Sequence, residues 1–220
     1  MNIKSTQNQP YELTMTYLNE APINMIKSQL LPIDITNPAL IEAFTTIPRH
    51  LFIPEAQQSI AYCDGAIHLN NYYRPLLSAA LYAKMLKAAD IKPTDQVLDI
   101  GCLTGYSTAI LSQLAQKVIA IEPEQTLASK AHTLLHKLRI TNIIIVQNQL
   151  TDGHPDGAPY QVIIINHIIP RVEESILSQL DEGGTLIALI QKPNETIKLT
   201  RITKHQHHIT YEVLDEIKKC

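Results

Sequence analysis

Between Gln96 and Ile190 the chain alternates short apolar runs, rich in β-branched residues, with stretches of helical periodicity, and few architectures accept that pattern. It predicts strands at Gln96 to Ile100, Lys117 to Ile121, Asn142 to Val146, Val162 to Ile165 and Thr185 to Ile190. Helices are expected at Gly105 to Ala115, Pro123 to Leu138 and Val172 to Gln179. The runs Ile143-Ile144-Ile145-Val146 and Val162-Ile163-Ile164-Ile165 have no polar alternation. Strands of that kind are buried on both faces, as in a mostly parallel sheet lying between helix layers. Gly183-Gly184 supplies a turn, and the stretches Ile197 to Thr203 and His208 to Leu214 read as a closing hairpin.

The preceding residues read as helical. Tyr11 to Leu31 suggests two short helices interrupted at Pro22. Thr36-Asn37-Pro38 starts a third, with Leu40, Ile41, Phe44 and Ile47 as its apolar stripe. Pro75 is taken as the start of a fourth, along which Leu77, Leu81, Tyr82, Met85 and Leu86 recur near helical spacing. Residues 1–75 are therefore read as a helical extension and substrate-side segment. Residues 76–220 are read as the core, and the two parts are expected to form one compact unit. A length of 220 residues suits that organisation.

A formal net charge of −3 offers no cationic field for nucleic acid or anionic lipid. No apolar stretch is long enough to span a bilayer and the N-terminus lacks a signal-like run, so a cytoplasmic protein is expected. Cys63, Cys102 and Cys220 show neither disulfide nor zinc spacing. His205, His207 and His208 read as a solvated polar face more readily than as a metal site, and no metal is assigned.

Chemistry concentrates in the first strand and its turn. Asp99 is followed by Gly101-Cys102-Leu103-Thr104-Gly105, placing two residues without Cβ where the backbone must approach a nucleoside. The G-x-G-x-x-G spacing of a pyrophosphate site is absent, which disfavours a nicotinamide enzyme. Asp99 suits a cationic cofactor segment such as the amino group of a methionine moiety. Glu122, ending the second strand, suits the two hydroxyls of a ribose. Each carboxylate also has a plainer reading, Asp99 as a helix cap and Glu122 as a helix-dipole partner.

The stretch Val97-Leu98-Asp99-Ile100-Gly101-Cys102-Leu103-Thr104-Gly105-Tyr106-Ser107 resembles the cofactor motif of class I S-adenosylmethionine methyltransferases, whose core is Rossmann-like. The flanks resemble one family, the protein-L-isoaspartate O-methyltransferases. The matches are Met25-Ile26-x-x-Gln29-Leu30, Ile47-Pro48-Arg49-x-x-Phe52-Ile53-Pro54, Ala61-Tyr62-x-Asp64, Gly153-x-x-x-Gly157-Ala158-Pro159-Tyr160 and Gln179-Leu180-x-x-Gly183-Gly184. The resemblance implies S-adenosyl-L-methionine as cofactor. It would be held by Asp99, Gly101, Cys102, Leu103, Thr104, Gly105, Glu122, Pro123, Gln149 and Leu150. The implied partner is a protein or peptide carrying an isoaspartyl carboxylate.

The sequence departs from the family in places. Where the family carries a Gly-Gln-Thr-Ile-Ser-type segment before the helix, this chain reads Asn70-Asn71-Tyr72-Tyr73-Arg74-Pro75, and Tyr73 aligns with the serine when Pro75 is the anchor. Leu103 stands at a common glycine. Gln149 stands at an expected acid, where its amide can meet an adenine edge. Gln161 replaces an aspartate. Asp64 and residues 68–74 would border the acceptor. Arg74 would hold its carboxylate, and Tyr72 or Tyr73 would donate a hydroxyl hydrogen bond. The candidate catalytic set is thus Tyr73, Arg74 and Asp64. Three readings stay open: isoaspartyl methylation, methylation of another acceptor, and cofactor binding without turnover.

Overall fold

Of the two runs without polar alternation, residues 162–165 lie inside a seven-stranded sheet, whereas Ile143–Val146 is its edge strand, with Ile144 exposed, so burial on both faces does not hold there. The computed structural model describes residues 20–69, 72–206 and 208–217. The sheet comprises β3 (Gln96–Ile100), β4 (Lys117–Ile121), β5 (Ile143–Val146), β6 (Tyr160–Ile169), β7 (Leu180–Ile190), β8 (Ile197–His205) and β9 (His208–Ile217). Their order is β5-β4-β3-β6-β7-β8-β9. The first five are mutually parallel, while β8 and β9 close the sheet as the expected antiparallel hairpin. His205 and His208 are register partners across that hairpin, and His207 lies outside the described residues.

Strand alternation divides the apolar side chains between two cores. Val97, Val118, Val162 and Ile164 join one cluster, which also takes in Met25, Leu30, Phe44, Phe52, Tyr82 and Tyr106. Leu98, Ile100, Ile119, Ile121, Ile163 and Ile165 join the other, against Ile176 and Leu177. Since Val97 and Asp99 are two apart, Asp99 points to the first face, toward the helix that follows the turn.

The helices are α1 (Pro38–Thr46), α2 (Ala79–Ala89), α3 (Tyr106–Ser112), α4 (Gln125–Lys137) and α5 (Glu174–Leu177), shorter at their ends than the periodicity predicts. Asn37 caps α1, its side chain accepting from the Ala39 and Leu40 amides, with Pro38 in the first turn. Pro22 does not interrupt the chain. Residues 20–25 are helical, continuing into a π-helical turn at Ile26–Leu30 and a 3-10 turn at Leu31–Ile33. The expected helical positions Leu13, Tyr17 and Leu18 lie outside the described residues.

Pro75 does not start a helix. It pairs with His68 in a short antiparallel ribbon of β1 (Ile67–His68) and β2 (Pro75–Leu76). The following helix waits for Ser78, whose hydroxyl accepts from the Leu81 amide. Proline is tolerated in an edge ribbon because its missing N–H withdraws nothing from the main sheet, and serine is the better cap. The segment immediately before the helix is Leu76-Leu77-Ser78.

Candidate active site

Strand β3 pairs with β4 on one side and with β6 on the other, so the chain reverses direction of advance at β3. A crevice opens beyond the carboxyl ends of strands at such a switch point. The turn after β3 is fastened to β4: the Gly101 and Cys102 amides both donate to the Ile121 carbonyl, at 2.9 and 3.2 Å. Gly101, Leu103 and Gly105 all have positive φ, of 86°, 54° and 93°. Leu103 is thus held in a conformation that its side chain disfavours.

The two turn glycines serve different ends. A Cβ on Gly101 would lie 3.0 Å from Arg74 Nη1 and 3.1 Å from His167 Nδ1, so its bare face looks into the crevice. A Cβ on Gly105 would lie 3.1 Å from both Ala131 Cβ and Leu135 Cδ1. Gly105 therefore lets α4 approach the turn closely.

Glu122 is fully buried where β4 ends. Its Oε2 accepts from the Leu103 amide at 2.8 Å, and its Oε1 accepts from the Glu124 amide at 3.1 Å and from Arg74 Nη2 at 2.5 Å. Asp99, also fully buried, spends its carboxylate on its own chain. Oδ2 accepts from Ser107 Oγ at 2.8 Å and Thr108 Oγ1 at 2.6 Å, and Oδ1 accepts from Asn166 Nδ2. Burial raises this carboxyl to about 6 despite those donors. Through these bonds Asp99 ties the first turn of α3 to β6.

Asn166 and His167 were not anticipated. They follow the apolar run Ile163-Ile164-Ile165, where the β6–β7 register shifts between Ile164 and Ile168. Such irregularities re-aim side chains beside active sites. Here Asn166 meets Asp99 and His167 reaches Gly101. A polar pair ending a buried run was the available sequence signal. Burial and the adjacent Arg74 charge lower the His167 imidazole to about 4, so it is neutral at pH 7. Among the described residues, three buried polar atoms around this crevice have no partner: Arg74 Nη1, Asn166 Oδ1 and His167 Nδ1.

The remaining predicted residues are dispersed. Thr104 is buried and donates to the Phe52 carbonyl at 2.5 Å, and Cys102 is a buried thiol pushed well above its usual pKa by burial. Pro123 is half-buried beside Glu122, and its carbonyl accepts from Gln147 Nε2. Gln149 is exposed and Leu150 packs at the edge of the second core. Tyr73 is 100% exposed. Tyr72 is half-buried, its hydroxyl 2.8 Å from Thr126 Oγ1. Asp64 is exposed in the loop before β1 and makes no hydrogen bond or ion pair among the described residues. Of the candidate catalytic set, Arg74 alone is brought to the turn; Asn70 and Asn71 lie outside the described residues.

Arg49, from the Pro-Arg-x-x-Phe element, is 1% exposed. Its Nε donates to the Ala61 carbonyl at 2.8 Å and its Nη2 to the Leu77 carbonyl at 2.7 Å, while its guanidinium lies 4.8 Å from the Tyr106 ring centre. It fastens the N-terminal segment to the approach of α2 and to α3. Beside it, a cavity of about 470 Å³ is lined by Phe52, Leu69, Tyr72, Thr104, Leu127 and Lys130 among others. A void of about 10 Å³ lies on the inner side of the turn, among Leu76, Leu77, Tyr82, Leu103, Tyr106 and Asn166.

Comparison with known proteins adds to this geometry. The family model for protein-L-isoaspartate(D-aspartate) O-methyltransferase matches residues 23–218. A protein-L-isoaspartate O-methyltransferase of Herpetosiphon aurantiacus is 35% identical over 182 residues, 80% of each chain. That of Trichlorobacter lovleyi is 34% identical over 181 residues, 82% of each. Among solved structures, a protein-L-isoaspartate O-methyltransferase superposes with a TM-score of 0.79 at 24% identity, over 90% of this chain and 64% of that one. A Plasmodium falciparum structure described as a putative member, in complex with S-adenosyl-L-homocysteine, gives 0.75 at 19% identity, over 91% and 95%. These likenesses show the fold.

Proposed function

This chain belongs to the protein-L-isoaspartate(D-aspartate) O-methyltransferase family, a family of S-adenosylmethionine-dependent methyltransferases, and from that premise we propose that it methylates the free carboxylate of isoaspartyl residues in proteins and peptides. The observation that carries the reading is the convergence of Glu122, the bare face of Gly101 and three unpartnered polar atoms at the switch point of the sheet.

The residues present fit S-adenosyl-L-methionine. Glu122 has the burial and acceptor capacity to take ribose hydroxyls, and Gly101 allows close backbone approach. Asn166 Oδ1 is an unpartnered acceptor suited to the ammonium of the methionine end. Pro123, Gln149 and Leu150 are assigned to the adenine side, on their position after β4 and β5. When bound, the cofactor supplies a methyl group on a positively charged sulfur, already a strong electrophile.

An acceptor carboxylate is ionised at neutral pH and needs no general base. The protein's own work is positioning and exclusion of water. Arg74 is assigned to the acceptor carboxylate, since a guanidinium pairs with it through two parallel hydrogen bonds. Asp99 is assigned the support of Asn166 and α3. The plain test is transfer of labelled methyl from S-adenosylmethionine to an isoaspartyl peptide, with the aspartyl twin as control. Selective transfer is expected. Equal labelling of both peptides, or of neither, removes the isoaspartyl assignment.

A further inference from the structure

Glu122 has three donors, and they differ in kind. The Leu103 and Glu124 amides belong to the turn and to the start of the next crossover, and cannot leave without undoing both. Arg74 reaches the same carboxylate from another part of the chain, 48 residues away, at the end of a ribbon held by only two register pairs. It brings Nη2 to Glu122 at 2.5 Å and leaves Nη1, buried against the bare face of Gly101, without a partner among the described residues. The same arm contributes Pro75, Leu76 and Leu77 to the packing beside Gly101 and Leu103. Arg74 occupies the acceptor atom that ribose hydroxyls need, and a carboxylate this deeply buried is costly to leave unpaired.

We propose that Glu122 exchanges partners, releasing Arg74 when it accepts the ribose hydroxyls, and that the released guanidinium then completes the acceptor-carboxylate site. This rests on the cofactor reading above. Glu122 is never left without donors in the exchange, and Arg74 passes from one carboxylate to another. The acceptor site is therefore assembled only after the nucleoside site is filled, so the two ligands favour each other's binding. The arm is fastened at its Leu77 end by Arg49, whereas nearer Arg74 the Tyr72 hydroxyl meets Thr126 Oγ1 at 2.8 Å.

The test is calorimetric titration with S-adenosylhomocysteine of the wild-type chain, Arg74→Ala, Arg74→Lys, Glu122→Gln and the double variant Arg74→Ala/Glu122→Gln. Thermal unfolding of each variant serves as a check on folding. Arg74→Ala is expected to bind at least about tenfold more tightly, because an open arrangement populated at about a tenth or less weakens apparent affinity by that factor. Arg74→Lys, which keeps a cation for Glu122, should stay near wild type. In the Glu122→Gln background the gain from Arg74→Ala should vanish. A fluorescent isoaspartyl peptide should bind wild type at least about fivefold more tightly with S-adenosylhomocysteine present, a modest allosteric coupling, and Arg74→Ala weakly in both conditions. Unchanged or weaker S-adenosylhomocysteine binding by Arg74→Ala overturns the exchange while leaving the cofactor reading intact. Absence of binding by every variant overturns the cofactor reading beneath it.

Discussion

Burial raises the Asp99 carboxyl from its ordinary 3.8 to about 6 even with Ser107, Thr108 and Asn166 donating to it. The folded state then holds its proton at pH values where the unfolded chain has released it. Stability therefore falls as pH rises from about 4 to about 6 and levels off above that, the reverse of a salt-bridged aspartate. The gap corresponds to roughly 2 to 3 kcal/mol at about 1.4 kcal/mol per pH unit. Asp99→Asn keeps an acceptor there without the ionisation. Urea unfolding from pH 4 to 7 should show wild type losing stability relative to Asp99→Asn across that window, and parallel curves would contradict the buried titration. The turn glycines separate by a second comparison. Both have positive φ, so alanine strains either backbone by about 1 kcal/mol or more. Gly105→Ala also pushes against Ala131 and Leu135, and its effect should appear mainly as a lowered unfolding midpoint. Gly101→Ala comes nearest to Arg74 and His167, and should weaken S-adenosylhomocysteine binding more than it lowers stability. Equal effects of the two on affinity would mean that both faces line the ligand.

At the scale of elements, the arm before α2 is where local chemistry decides the arrangement. Ser78 caps α2 through the Leu81 amide, and Arg49 ties the Leu77 and Ala61 carbonyls together from inside the core. Ser78→Ala should cost about 1 kcal/mol, as a lost N-cap. Arg49→Met should cost more, roughly 3 kcal/mol or above, because two buried carbonyls lose charged donors at once. Chemical denaturation of both variants measures this, and a smaller loss for Arg49→Met than for Ser78→Ala would show that the arm is held by packing alone. The same arm marks where sequence ceases to be readable. The strands Gln96–Ile100 and Lys117–Ile121 coincide with their apolar runs because burial on both faces leaves no other choice for such residues. Pro75 and Ser78 are both good helix starters, and the choice of Ser78 depends on Pro75 pairing with His68, a contact between residues seven apart that periodicity does not encode. Asp99 and Glu122 were legible as carboxylates at strand ends, but their burial and the donors each would take were not. Asn166 and His167 reach them through a register shift in β6, and Arg74 through a loop closure.

For the molecule as a whole, the question is whether the N-terminal elements and the sheet form one cooperative unit. A single apolar cluster contains Met25, Leu30, Phe44 and Phe52 from the first together with Val97, Tyr106, Val118 and Ile164 from the second. Arg49 adds hydrogen bonds to Ala61 and Leu77 and lies over the Tyr106 ring, and Lys87 reaches Asp34 at 2.7 Å. Separating residues 1–75 from the remainder would expose that cluster and strand a buried guanidinium, so we propose that the chain unfolds in one step. Cys63 is exposed in the N-terminal part and gives a place for a fluorescent reporter there, once Cys220 is replaced by serine. Its urea transition should coincide with that of far-UV ellipticity, which reports mostly on the sheet and its helices. Ligand present at about 100 times its dissociation constant should stabilise by about 2.7 kcal/mol and move both transitions together. An earlier transition at Cys63 would make the N-terminal elements a separate unit. If ligand then moved only the later transition, those elements would have no share in the ligand site.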